Sequence, residues 1–161
     1  MIFISVGTSN KDFNRLLKEC DNIALGSSSK FFAQIGNSAY IPTHIPHKRW
    51  LSTEEMQHWH DVATIFIIHA GFGTVSELIR LRKPIIIVPR TIENGEAVND
   101  QGDLSSKLHD LGFVEEVKDI AQLRQALSNI NSQKYNPYNL TSTIPSILED
   151  FIINLTSNAC K

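Results

Sequence analysis

Thr64-Ile65-Phe66-Ile67-Ile68-His69-Ala70-Gly71-Phe72-Gly73-Thr74-Val75-Ser76-Glu77 decides the fold. Thr64 to Ile68 is an unbroken apolar run, the pattern of a strand buried on both faces of a parallel sheet. His69 to Thr74 is a glycine-rich turn, and Val75 to Leu81 a helix with Thr74 placed to cap it. Strand, glycine turn and helix in this order are the unit of parallel α/β folds. Gly71 and Gly73 let backbone approach a ligand closely. Free N–H groups at the helix start, aided by its dipole, suit a diphosphate. Glu77, one turn further in, can accept from sugar hydroxyls, as an acidic residue does for ribose in dinucleotide sites. The same two glycines also serve a plain tight turn. Ser76 stands where a dinucleotide fingerprint has its third glycine, which argues against a Rossmann-type oxidoreductase.

The same alternation extends in both directions. Ile2 to Val6 is a first strand ending in Gly7-Thr8-Ser9. Phe13, Leu16, Leu17 and Cys20 then follow at the spacing of one helical face. Phe31 to Ile35, closed by Gly36, is a second strand. Residues 37–49, with Pro42 and Pro46, read as irregular connection. Ser52-Thr53-Glu54-Glu55 reads as a capping box opening a short helix through Met56 and Trp59, with Glu54 left to solvent. Beyond the central turn, Pro84 to Val88 is a buried strand and Pro89 to Gly95 a loop. Glu96 to Leu111 is a helix closed by Gly112, and Phe113 to Val117 a final strand with Glu115 and Glu116 solvated at its end. Helices over Ile120 to Ile130 and Pro145 to Leu155 complete the chain, with an Asn- and Ser-rich loop over residues 131–142. The expected fold is α/β, a doubly wound, mostly parallel sheet, as a single domain over residues 1–161. Its ligand site lies at the carboxyl ends of the strands.

Composition narrows the function. The 161 residues are 42% hydrophobic and 20% charged, with a net charge of −2. No strong field exists to capture nucleic acid or an anionic membrane. The two cysteines, Cys20 and Cys160, fit neither a disulfide framework nor a zinc motif, and Cys20 reads as a buried small hydrophobe. His58 and His60 do not share a helix face, and Pro46 separates His44 from His47, so no metal site is expected. The opening residues lack a basic region and predict no secretory signal. No apolar run reaches the roughly eighteen residues of a membrane span, so a cytoplasmic protein is expected.

His69-Ala70-Gly71-Phe72-Gly73-Thr74-x-x-Glu77 resembles the donor-binding motif of GT-B glycosyltransferases. Val6-Gly7-Thr8-Ser9 with Phe13-Asn14-Arg15-Leu16, and Gln34-Ile35-Gly36, resemble the first and second strand ends of the C-terminal domain of family 28 glycosyltransferases. Trp50-Leu51-x₄-Met56 resembles the segment whose backbone holds uracil in that domain. Pro89-Arg90 with Gly95-Glu96-Ala97-Val98-Asn99-Asp100-Gln101 resembles the loop that reaches the donor sugar. Within the family the likeness is to small, single-domain subunits: PssE-like exopolysaccharide transferase subunits, and the catalytic subunit type of two-part N-acetylglucosaminyltransferases. Where PssE-like chains often carry His in this loop, Ala97 stands here.

The resemblance implies the donor-binding, catalytic subunit of a two-component UDP-sugar glycosyltransferase acting on a lipid-linked or polysaccharide acceptor. It implies donor contacts from Gly7, Thr8, Ser9, Gly36, Trp50, Leu51, His69, Gly71, Phe72, Gly73, Thr74, Glu77, Asn99, Asp100 and Gln101. His69 and Glu96 stand nearest the chemistry, His69 as a phosphate contact or a general base. It implies no cofactor beyond the UDP-sugar substrate and no metal. It further implies a membrane-anchored partner that carries the acceptor site and the general base and holds this chain at the inner membrane face. A catalytically silent UDP-binding subunit, or another nucleotide-sugar enzyme such as an epimerase or hydrolase, are the other readings.

Overall fold

The computed structural model describes residues 1–99, 101–132 and 135–136. Six parallel strands form one sheet: β1 (Ile2–Ser5), β2 (Phe31–Gln34), β3 (His47–Lys48), β4 (Ile65–Ile68), β5 (Ile85–Ile87) and β6 (Glu115–Glu116). Their spatial order is β3-β2-β1-β4-β5-β6. The chain thus winds outward one way from β1 and the other way from β4. The crevice between those two strands is the switch point where doubly wound sheets bind ligands. Register runs Ile2 to Ile65 through Ser5 to Ile68, so the turns after β1 and β4 emerge side by side.

Alternation along the strands separates two cores. Ile2, Ile4, Ile65, Ile67 and Ile86 face one way, onto Leu16, Leu17 and Cys20 of α1 (Asn14–Leu25) and Leu123 and Ala126 of α5 (Leu123–Asn129). Phe3, Phe66, Ile68, Ile85 and Ile87 face the other way. They pack on Val75, Leu78 and Ile79 of α3 (Phe72–Arg80) and on Trp59 and Met56 of α2 (Thr53–Val62). Cys20 is fully buried, and burial, then the charges of Glu19 and Asp21, push its thiol far above the ordinary range. It is a core residue and no nucleophile.

Several boundaries differ from the sequence reading for local reasons. β3 arises inside the expected irregular stretch, because His47 and Lys48 pair with Ala33 and Gln34 at the sheet edge. The helix expected from Glu96 begins only at Gly102, as α4 (Gly102–Asp110), and closes at Gly112 with φ +72°. The loop expected over Pro89 to Gly95 instead continues through residues 96–99, held by side-chain contacts described below. Residues 120–122 form a 3-10 turn ahead of α5. Glu116 is no solvated end: it accepts from the Ser105 and Ser106 hydroxyls and pairs with Lys118. The capping box at Ser52 is complete, with Glu55 N–H donating to Ser52 Oγ and Ser52 N–H to Glu55 Oε2. Glu54 accepts from the Ser52 hydroxyl. The helix expected over Pro145 to Leu155 lies outside the described residues.

Candidate functional site

The turn after β1 is built around Gly7, whose φ of +73° suits glycine alone. The buried Gln34 side chain braces it: Gln34 Oε1 accepts from Gly7 N–H and Ser5 Oγ, while Nε2 donates to the carbonyls of Gly7 and Arg49. Gly36 packs behind, where a Cβ would stand 2.9 Å from Gly7 O. It supports the turn and does not line the cleft. Asn37 Nδ2 donates to Ser9 O, and Ser9 Oγ accepts from Lys11 N–H, fixing the rest of the loop.

Across the switch point, β4 ends at His69. Its imidazole is wedged between two backbones, since a Cβ on either Gly7 or Gly71 would overlap the ring. Those two glycines therefore make room for His69. Burial first, then the Arg90 charge, pull the imidazole down to about 4 from its usual 6.5. The ring is neutral at neutral pH.

Helix α3 starts three residues earlier than its sequence suggests. Gly71 is the N-cap, without a side-chain cap and without an acidic residue in the first turn. Thr74 lies inside the first turn and does not cap. The opening N–H groups of Phe72, Gly73 and Thr74 have no intrahelical acceptor and are left for a ligand. They border a cleft of about 250 Å³ with Gly7, Thr8, His69, Gly71, Trp50 and Leu51. Met56, from the segment that resembles a uracil-holding stretch, completes it with Ser5 and Gln34, which sequence reasoning had not named as ligand contacts. Polar residues at the carboxyl end of a buried strand, as Ser5 and Gln34 are, were the available signal. Nothing lies within 4 Å of a Cβ built on Gly73, which faces open space. Glu77 is not among the lining residues. It sits one turn beyond Thr74 on the same helix face and accepts from His60 Nδ1 at 3.0 Å.

His69 also walls a second cleft, of about 390 Å³, with Ser9, Glu96, Ala97, Asn99 and Gln101. Asp100 lies outside the described residues. Gln101 does more than line this cleft, because its Oε1 accepts from both Ala70 N–H and Arg90 N–H and so ties the β4 and β5 turns together. Glu96 is 5% exposed, and Arg15 grips both its carboxylate oxygens, at 3.1 and 2.8 Å. Arg90 is buried too. Its guanidinium stacks on Phe13 at 4.4 Å and donates to the carbonyls of Val6, Lys11, Asp12 and Glu96. The arginine read as part of a sugar-reaching loop is thus a clamp between the turns after β1 and β5. Among the described residues no cluster of three His, Cys, Asp or Glu side chains could hold a metal ion, and no helix is long and apolar enough to cross a membrane.

The depressed His69 has a consequence for stability. Between pH 6.5 and about 4 the unfolded chain binds this proton and the folded chain does not. Stability is therefore lost as pH falls through that window, by up to about 1.4 kcal/mol per pH unit for one group. Asp21 acts lower. Burial opposes its charge, but N–H groups of Thr43 and His44 and the hydroxyls of Tyr40 and Thr43 win, holding it at about 2 against 3.8. Its contribution disappears only below pH 3.8. Urea unfolding at pH 7, 6, 5 and 4 is expected to show a falling midpoint, with a shallower fall in His69→Asn. Equal slopes in the two proteins would disprove the His69 assignment.

Residues 1–151 match the profile of the glycosyltransferase family 28 C-terminal domain. Among solved structures the fold is similar to ALG13 in solution, at 17% identity and TM-score 0.59, covering 90% of this chain and 91% of that one. It is also similar to the glycotransferase of kitacinnamycin, at 20% identity and TM-score 0.62, covering 82% of this chain and 34% of that one. MurG of Acinetobacter baumannii matches at 19% identity and TM-score 0.55, over 81% of this chain and 42% of that one. The chain thus spans about a third of the kitacinnamycin enzyme's length. No curated protein sequence matches it significantly.

Proposed function

This chain belongs to the glycosyltransferase family 28 C-terminal domain family, and from that premise we propose that it is the donor-binding, catalytic subunit of a two-component UDP-sugar glycosyltransferase. The observation that carries the reading is the cleft at the β1–β4 switch point, where the uncapped start of α3 meets a neutral imidazole held between Gly7 and Gly71. In this reading uracil lies against Trp50 and Leu51. The diphosphate meets the N–H groups of Phe72, Gly73 and Thr74, and Glu77 takes the ribose hydroxyls. The sugar extends past His69 into the second cleft, beside Ala97, Asn99 and Gln101.

Catalysis is then positioning, plus stabilisation of the departing diphosphate by amides and helix dipole. A neutral His69 acts as a hydrogen-bond donor to phosphate. With its basicity so reduced, it is a poor general base near pH 7. Glu96, neutralised by Arg15, positions the sugar loop. The base that deprotonates the acceptor hydroxyl comes from a membrane-anchored partner, which also supplies the lipid-linked or polysaccharide acceptor site. The chain works in the cytoplasm, at the membrane through that partner.

Calorimetric titration is expected to show UDP binding to the chain alone. A lost charge-assisted hydrogen bond, worth about 1.5–3 kcal/mol, should weaken binding by roughly tenfold or more in Glu77→Ala. Sugar transfer to lipid-linked acceptors is expected only once the acceptor-binding subunit is added. Robust turnover without it would overturn the two-component reading, and absence of UDP binding would overturn the donor site.

A further inference from the structure

We infer that His60 is a positioning residue for Glu77, holding that carboxylate in the conformation that receives a vicinal diol; this rests on the reading of the cleft as a nucleotide site. His60 lies on the last turn of α2 and is only 3% exposed. Its ring stands edge-on to Phe66, with centroids 5.9 Å apart. Nδ1 meets Glu77 Oε1 across the α2–α3 contact. A carboxylate oxygen accepts, so the proton of this bond sits on Nδ1.

Nε2 is buried and has no hydrogen-bond partner among the described residues. An unpaired buried nitrogen is destabilising, and a purely apolar ring would fill the same place without that cost. What a histidine adds there is the single Nδ1–H directed at Glu77. The Glu77 side chain is 38% exposed. Free on a helix surface, it would sample several rotamers and lose that freedom on binding. Tied to His60 through one oxygen, it is preorganised and keeps lone pairs for two neighbouring ligand hydroxyls. His60 itself is too buried to touch the ligand.

The test compares UDP with 2′,3′-dideoxy-UDP by calorimetry, on the wild type and on His60→Phe, His60→Gln, His60→Asn, Glu77→Ala and His60→Phe/Glu77→Ala. Asparagine can place a donor near the Nδ1 position, whereas phenylalanine and glutamine cannot. Melting curves identify the folded variants, and His60→Gln serves if His60→Phe fails to fold. For UDP, loss of the Nδ1 donor is expected to weaken binding by about tenfold, approaching Glu77→Ala, with His60→Asn near wild type and the double variant no worse than Glu77→Ala. For the dideoxy ligand all folded variants should bind like wild type. Three results would overturn the inference: unchanged UDP affinity in the folded donor-less variants, losses that add in the double variant, or an equal loss with both ligands. If Glu77→Ala itself binds UDP like wild type, Glu77 does not receive the ribose and the inference is overturned, whereas a wild type that binds no UDP overturns the nucleotide-site reading beneath it.

Discussion

Arg90→Met is expected to cost about 3 kcal/mol or more of unfolding free energy, the scale of breaking a buried charged network. Methionine can fill much of the volume beside Phe13, but it cannot donate to the carbonyls of Val6, Lys11, Asp12 and Glu96. Those acceptors would be left with lost partners where the chain is buried. The damage should be local as well as global. Arg90 joins the turn after β1 to the loop that holds Glu96, and these border the second cleft. UDP-sugar affinity should therefore fall further than UDP affinity, because the sugar side loses its wall. Arg90→Lys should recover only a minor part, since an ammonium cannot reproduce the planar fork that reaches four carbonyls. Urea unfolding and calorimetry on the three proteins check this. A methionine variant with an unchanged midpoint would refute the clamp.

The clamp also marks where the sequence stopped being legible. The strand Ile65–Ile68, the glycine turn and the capping box could be read because each is a local pattern. Burial on both faces makes a strand uniformly apolar, and Ser52 and Glu55 satisfy each other three residues apart. Most of the cleft between β1 and β4 was named in advance, Gly71, Gly73 and Thr74 from the glycine turn itself and Gly7, Thr8, His69, Trp50 and Leu51 through the family resemblance. The loop over Pro89 to Gly95 was legible from its proline and glycine, but its continuation through residues 96–99 was not. Glu96 and Ala97 read as the start of the following helix, but Arg15 and Arg90 reach Glu96 from 81 and 6 positions away and hold it in the loop. An arginine in a polar loop ordinarily reads as exposed, and only the three-dimensional path puts Val6 and Asp12 around Arg90. The His60–Glu77 bond was hidden likewise, because 17 residues and a strand separate the partners. Glu116 reads as solvent-facing until α4 lays Ser105 and Ser106 against it.

Gly73→Val is expected to abolish detectable UDP binding while leaving the melting temperature unchanged or raised. A Cβ at position 73 meets nothing among the described residues, and glycine is the poorer helix former by roughly half a kcal/mol. Whatever the branched side chain obstructs then lies outside the described residues, and a ligand is the group expected there. Because Gly73 lies in the uncapped first turn of α3, the obstructed group is one that approaches those N–H donors closely. Gly71→Ala is the contrasting experiment two residues away. Its methyl group would overlap the His69 ring, which is already packed against Gly7. This variant should lose stability and ligand together, whereas Gly73→Val separates them. The pair distinguishes a glycine kept for packing from one kept for a ligand within a single motif. Thermal melts and UDP titrations of both are sufficient. A stable Gly73→Val protein that still binds UDP would remove the diphosphate from the start of α3.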